Sequence, residues 1–181
     1  MYMFTSLGPE YSGPANVCAN SCTGGRSACP GVVLHVCDDP GLVRILSQKA
    51  WSGISVRIVF DEGQVREPSC SNQLARMKEL LEGGAELYRL RVGTGFAILH
   101  DKLWVVDGRW VFTGSLNPTS NGFLNNSENL VEIDIPGVAI DAMSRIDSLL
   151  SRAEPVTNEY LDERLREQSE RGRSGSTRQR R

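Results

Sequence analysis

The chain carries three closely spaced polar motifs, HDKLWVVDG at residues 100–108, GSLN at residues 114–117 and NNSEN at residues 125–129. Side chains alternate between the two faces of a β-strand, so we expect His100 and Lys102 to project from the same face. Ser115 and Asn117 would share a face of a following strand in the same way. Two such pairs side by side predict a polar cluster on the sheet.

A tight turn is predicted inside this stretch. Residues 96–106 and 110–113 are apolar enough to form strands, and Asp107-Gly108 between them is typical of a β-hairpin turn.

The polar cluster has the groups that attack on a phosphodiester requires. The imidazole of His100 can act as the nucleophile. Lys102, Asn117 and Ser115 can hold the non-bridging oxygens and their growing negative charge. Glu128 could accept a hydrogen bond from the far nitrogen of His100 and stabilise the imidazolium. The motifs lack the grouped carboxylates of a dedicated magnesium site, so we expect neither a metal nor another cofactor.

Taken singly, a His-x-Lys or a Gly-Ser-x-Asn pattern is common by chance. In order, the residues read His-x-Lys-x4-Asp-x6-Gly-Ser-x-Asn, with a glutamate downstream. This pattern resembles the signature of the phospholipase D superfamily. The resemblance covers residues 41 to about 150, and residues 56–61 look like the strand that commonly precedes the motif in that family.

The resemblance implies a two-step mechanism. His100 would attack phosphorus to give a phosphohistidine, and a second histidine would protonate the leaving oxygen before activating water. By the same analogy Lys102 and Asn117 bind phosphate, Ser115 supports it and Glu128 orients His100.

Asp107 belongs to the same motif and counts among the catalytic residues that the resemblance implies. Because it opens the turn, its role is expected to be structural rather than chemical.

The sequence has two histidines, and only His100 stands in a motif, because His35 matches nothing in the signature. The chain is therefore similar to single-motif members of the family, such as small bacterial endonucleases and the mitochondrial cardiolipin hydrolase group. A second copy of the chain would supply the other histidine, which predicts a homodimer in which both motifs face one cleft.

The predicted fold class is α/β, a mixed and mostly β-sheet core flanked by helices as in a phospholipase D-like α/β/α sandwich. Helical and strand patterns alternate along the chain. Helices are predicted at residues 41–50, 72–82 and 137–150, and further strands at residues 54–60, 86–92 and 130–135. In the last helix we expect Ile140, Met143, Ile146 and Leu150 to face inward.

Three regions are predicted along the chain. Residues 1–31 form an irregular segment with an early strand at residues 1–6, residues 32–153 form the catalytic domain, and residues 154–181 form a polar, basic, disordered tail. The resemblance places another strand and helix before the early strand, so two alternatives stay open for the front of the domain, a truncated sequence or a divergent member of the family.

Composition and charge are those of an ordinary globular protein. Of the 181 residues, 40% are hydrophobic and 23% charged, and the formal net charge of -2 provides no overall attraction to nucleic acid or membrane. No apolar run approaches the roughly 18 to 20 residues that cross a bilayer, and residues 1–6 lack a secretory signal. A cytoplasmic or peripherally membrane-associated protein is expected.

The five cysteines are odd in number and mostly crowded into one irregular stretch, which does not resemble a disulfide framework. Their spacing does not repeat the close pairs of zinc ribbons, although a zinc site that includes His35 stays an open alternative to a flexible segment.

Three functions are compatible with the motifs. A nuclease is supported by the single motif, the arginine-rich tail and the polar loop at residues 121–126. A phospholipase or cardiolipin hydrolase would use Trp104, Trp110 and Phe123 as an interfacial surface, although aromatic residues near strands more often belong to the core. The third alternative is a catalytically silent nucleic-acid-binding or scaffold protein with the same fold.

Overall fold

The structure is a computed structural model that describes residues 2–4, 29–34, 37–65, 71–95 and 97–178. The described residues form an eight-stranded sheet in the order β1-β7-β6-β5-β2-β3-β4-β8. The strands are β1 (Tyr2–Phe4), β2 (Cys29–Leu34), β3 (Val56–Asp61), β4 (Glu86–Leu90), β5 (Leu103–Val106), β6 (Trp110–Gly114), β7 (Leu130–Asp134) and β8 (Glu154–Pro155).

Helices cover both faces of this sheet. They are α1 (Pro40–Trp51), α2 (Glu62–Val65), α3 (Ser71–Glu82), α4 (Ser120–Leu124), α5 (Pro136–Leu150) and α6 (Asn158–Arg178). Apolar residues of α1, α3 and α6 share one hydrophobic core, and those of α5 belong to a second core with Val59 and Val105. Two helical layers around a mixed sheet confirm the predicted fold class.

The parallel and antiparallel halves of the sheet meet at β2. Strands β2, β3 and β4 are parallel, whereas β5 is antiparallel to β2 and pairs Leu103 with Val33. Since Val33 lies near the carboxyl end of β2, the residues just before β5 lie at the carboxyl ends of the parallel strands. This edge of the sheet therefore receives the His100–Lys102 segment.

The predicted hairpin turn is confirmed. Asp107, Gly108 and Arg109 join β5 to β6, and the first two have positive φ angles, 54° and 64°. Positive φ at both central positions is typical of type I′ turns, in which aspartate and glycine are among the few residues that fit without strain.

The strand predicted at residues 96–106 is much shorter. Strand β5 begins at Leu103, and the described residues 97–102 before it belong to no strand. The backbone N–H of Leu99 donates to the carboxylate of Asp61. In a regular strand this N–H would donate to the backbone of a neighbouring strand. His100 and Lys102 therefore project from an irregular segment, and strand alternation does not determine their directions.

The inward face of α5 differs by one residue from the prediction. Ile140 is 66% exposed, whereas Ala139, Ala142, Ile146 and Leu149 are buried. Small alanines let the helix approach the sheet closely, so the buried stripe runs through them. Ile146 is buried as predicted, and Met143 and Leu150 are partly buried and pack against the second core. The prediction is wrong for Ile140 alone.

The prediction of a disordered tail from residue 154 is wrong for residues 154–171. Glu154–Pro155 form β8, and α6 follows with Leu161 fully buried in the core. Lys78 Nζ of α3 donates to Asp162 at 2.7 Å, and the Arg89 guanidinium lies over the Tyr160 ring. These contacts offset the entropy of ordering a segment whose own composition is polar. The domain boundaries themselves stay predictions.

Residues 2–4 form an edge strand that pairs antiparallel with β7, so the early strand lies within the predicted segment. Cys18, Cys22, Cys70 and His35 lie outside the described residues, and the zinc alternative stays untested. Cys37 is a fully buried free thiol, and burial raises its pKa, with nearby Asp39 acting in the same direction. Among the described helices, none combines the length and apolar character needed to span a membrane.

Candidate active site

The first half of the site is the segment that precedes β5. His100 is exposed, whereas Lys102 is only 5% exposed although it is a lysine. Lys102 Nζ donates a hydrogen bond to the backbone oxygen of His100 at 2.9 Å. A nearly buried ammonium group is thus held beside the exposed imidazole-bearing residue.

Burial and nearby carboxylates shift the pKa of Lys102 in opposite directions. Burial lowers the pKa of Lys102, because an ammonium group loses hydration there, while the carboxylates of Glu128 and Asp101 act to raise it. The net effect is a lowered pKa. Glu128 is therefore close enough to Lys102 for their charges to interact.

The second half of the site is built on a close approach of two chain segments. Ser115 N donates to Asn129 O at 3.0 Å and to Asn129 Oδ1 at 2.8 Å, and Asn129 N donates to Ser115 Oγ at 3.0 Å. A Cβ on Gly114 would collide with the backbone oxygen of Asn129. The glycine of the GSLN motif is thus required by backbone packing.

Glu128 is connected to this second half. Its Oε2 accepts a hydrogen bond from Ser115 Oγ, and its Oε1 accepts one from Asn126 Nδ2 at 3.1 Å. Since a hydroxyl has one proton to donate, Ser115 holds Glu128 with that proton and would have to release it to donate to a phosphate. Orientation of His100 by Glu128 stays a prediction.

Asn117 lies in the loop between β6 and α4. The following residue, Pro118, accepts hydrogen bonds through its backbone oxygen from the amides of Asp38 and Asp39, at 3.1 and 3.2 Å. The Asp38 carboxylate also accepts from Ser120 N at 3.2 Å. The Asn117 Oδ1 atom is buried and has no hydrogen-bond partner among the residues that the structure describes.

The structure does not bring Asp107 to this cluster. It lies in the turn after β5, at the opposite end of that strand from Lys102, so roughly 16 Å of extended chain separates the two residues. This position agrees with the expectation that Asp107 has a structural role in the hairpin.

The aromatic residues considered as an interfacial surface lie in or against the core. Trp104 is 2% exposed, and Trp110 and Phe123 are partly buried and pack against the first hydrophobic core. None of the three forms a free apolar surface.

Sequence reasoning did not identify Asp38, and it gave Asn126 and Asn129 no role of their own. Asp38 lies far from the motifs in the sequence, and its hydrogen bond to Ser120 joins residues 82 positions apart. The two asparagines lie next to Glu128, and their polar clustering was the available signal.

Comparisons with known proteins identify the family and the fold. Residues 29–151 match the family model described as the PLD-like domain of cardiolipin synthase, and PLD stands for phospholipase D. The chain is 27% identical over 125 residues to mitochondrial cardiolipin hydrolase of Xenopus laevis, covering 69% of this chain and 56% of that protein. It therefore spans little more than half the length of that relative.

Two solved structures have the same fold. Nuc from Salmonella typhimurium, a phospholipase D family member, is 25% identical with a TM-score of 0.68, and the match covers 87% of this chain and 99% of that one. NucT from Helicobacter pylori is 20% identical with a TM-score of 0.63, covering 86% and 98%. The family model matches more than half of the chain, so the chain belongs to the phospholipase D superfamily.

Proposed function

We propose that this chain is a phosphodiesterase that hydrolyses its substrate through a phosphohistidine at His100. The observation that carries the proposal is the nearly buried ammonium of Lys102, held at the backbone of the exposed His100 and near Glu128. A positive charge in a partly desolvated position attracts a phosphodiester more strongly than one in bulk water does.

In the first step a ring nitrogen of His100 donates its electron pair to phosphorus. The bond from phosphorus to the leaving oxygen breaks, and a second histidine gives that oxygen its proton. In the second step the same histidine takes a proton from water, whose oxygen displaces His100 from phosphorus. The products are a phosphomonoester and an alcohol, and both histidines return to their starting states.

Lys102 and Asn117 would hold the non-bridging oxygens during these steps. The Oδ1 of Asn117 is buried, so the N–H groups of the amide are the ones that would donate to a phosphate oxygen. Ser115 supports the site indirectly, because its hydroxyl group holds Glu128.

The second histidine would come from another copy of the chain. The sequence has two histidines, and only His100 lies in the motif. A homodimer with a two-fold axis through the cleft would bring two His100 side chains to one phosphodiester. Each active site would then need both chains.

The substrate is proposed to be a phospholipid or a nucleic acid. The relative named as a cardiolipin hydrolase favours a lipid. Because Trp104 is buried, the lipid alternative lacks the aromatic surface considered for it. Peripheral membrane contact and a cytoplasmic location stay predictions.

Hydrolysis of bis-p-nitrophenyl phosphate in the presence of a chelator tests the proposed function. The wild-type chain should release nitrophenol, and His100→Ala should reduce kcat at least about 10³-fold, as removal of a nucleophile does. Full activity in His100→Ala would refute the proposal. An inactive wild type that still binds nucleic acid would favour the silent binding protein instead.

Parallel assays with cardiolipin, phosphatidylcholine, single-stranded DNA and RNA then choose between the two substrate classes. The proposed phosphate-binding residues contact groups that all four substrates share. The surrounding surface must therefore provide the difference in kcat/KM.

A further inference from the structure

Asp61 is a buried carboxylate at the carboxyl end of β3, outside the motif residues. It is 3% exposed in a strand that is otherwise almost wholly apolar. A buried carboxylate is costly unless it is hydrogen-bonded, so its contacts show what it does in the fold.

Both carboxylate oxygens of Asp61 accept hydrogen bonds from backbone amides. Oδ2 accepts from Leu99 N at 2.7 Å, and Oδ1 accepts from Gln64 N at 3.0 Å. The first of these bonds is buried and joins residues 38 positions apart in the sequence. Leu99 immediately precedes His100, the proposed nucleophile. The Asp61 carboxylate therefore holds the backbone next to His100 by a hydrogen bond.

The segment around His100 lacks the ladder of hydrogen bonds that normally determines the path of a strand. Residues 97–102 lie in no strand, and regular pairing begins only at Leu103. The hydrogen bond from Leu99 to Asp61 holds the segment before His100, and β5 holds it after Lys102. The three residues between these two attachments include both groups that the proposed chemistry uses.

We propose that Asp61 is a positioning residue for His100 and Lys102, acting through the Leu99 amide. This inference rests on the proposed function for its catalytic consequence. A shift of about 1 Å in a reacting group can cost up to about 100-fold in rate, so loss of this attachment should slow the chemical step.

Asp61→Ala and Asp61→Asn test the inference with bis-p-nitrophenyl phosphate at a temperature where circular dichroism shows each variant folded. Asp61→Ala removes both acceptors and should lower kcat about 10- to 100-fold. Asp61→Asn keeps one acceptor oxygen and should lose less activity. If Asp61→Ala does not fold, Asp61→Asn takes its place in the test.

Leu80→Ala is the matched control. Leu80 is fully buried in the core shared by α1, α3 and α6, whereas Leu99 belongs to the core under α5. Its truncation is expected to lower the melting temperature of the fold, while the kcat of the folded enzyme stays within about 2-fold of wild type. If Leu80→Ala lost as much kcat as Asp61→Ala, the effect of Asp61→Ala would come from lost stability alone. That result would overturn the inference.

A second readout does not depend on turnover. Nuclear magnetic resonance can follow the ring signals of the two histidines and hydrogen exchange at the Leu99 amide. In Asp61→Ala, or in Asp61→Asn if the alanine variant does not fold, the His100 signals should move and Leu99 should exchange faster. Leu80→Ala should leave the His100 signals in place.

The two proposals fail differently. Unchanged His100 signals and wild-type kcat in folded Asp61→Ala would overturn the positioning role. Full activity in His100→Ala, with moved His100 signals in Asp61→Ala, would remove the proposed function and leave the positioning of the segment intact.

Discussion

At the residue scale, Lys102 is a side chain whose environment is unusual for its type. Lysines are seldom buried, and this one is nearly so. Its ammonium donates to the His100 carbonyl and interacts with Glu128, which Ser115 holds from another loop. The sequence predicted that Lys102 contributes charge, but its burial depends on segments that are distant in the chain.

The lowered pKa of Lys102 predicts the pH dependence of the proposed activity. The ammonium is charged below its pKa, so KM should rise with pH as the proton is lost, at a lower pH than for an ordinary lysine. In Glu128→Gln a negative charge that raises this pKa is removed, and the rise in KM should move to lower pH. Profiles of KM against pH measure both effects.

Glu132→Gln is the control for that experiment, because Glu132 lies in β7 and is not among the charges that shift Lys102. Its alkaline profile should match that of the wild type. A profile in Glu128→Gln that moves to higher pH would contradict the electrostatic account.

At the element scale, the hairpin and the last helix illustrate the two ways in which elements form. The β5–β6 hairpin depends on local turn chemistry, and its two turn residues were readable from the sequence. Helix α6 depends on tertiary contacts, chiefly the burial of Leu161, and its polar composition predicted disorder instead. Helix α5 falls between the two, since its bounds and most of its inward face were predicted, whereas the exposure of Ile140 was not.

The turn predicts the effect of Gly108→Val. A β-branched residue at a φ of 64° is strained by about 1 to 2 kcal/mol, so thermal denaturation should occur about 2 to 8 °C lower. The kcat of the folded variant should be unchanged, because the turn lies at the far end of β5 from Lys102.

Gly137→Ala provides the comparison for the turn, because Gly137 lies in the first turn of α5 and a Cβ there would meet nothing within 4 Å. It should leave the melting temperature unchanged or raise it slightly. Equal melting temperatures in Gly108→Val and the wild type would contradict the strained turn.

Helix α6 predicts that Leu161→Ala destabilises the whole domain. Removing a fully buried leucine side chain costs about 2 to 5 kcal/mol, so the urea midpoint should fall in one cooperative transition. Arg166→Ala, at an exposed position of the same helix, should change the midpoint little. If both variants unfold at the wild-type midpoint, α6 does not belong to the cooperative core.

At the scale of the whole molecule, the sheet brings the two halves of the motif to one edge. That edge holds one motif histidine per chain, which is why the proposed mechanism needs a second copy. The exposure of His100 is compatible with access from a partner. Assembly is thus the level at which the proposed active site becomes complete.

Mixing experiments test this assembly. If each site needs His100 from both chains, activity in unfolded and refolded mixtures of wild type and His100→Ala should fall as the square of the wild-type fraction. A linear fall would indicate chains that work alone. Light scattering on the same samples should show twice the chain mass, and a fully active monomer would contradict the dimer.

By itself, the sequence determined the family, the fold class, the approximate positions of most helices and strands, and the hairpin turn. Each of these follows from fixed motif spacing, from apolar periodicity, or from the φ preferences of neighbouring residues. Only the tertiary structure decided the burial of Lys102, the exposure of Ile140 on α5, the docking of α6 and the bond from Leu99 to Asp61. Those features depend on contacts between distant segments, and local preferences do not encode which segments meet.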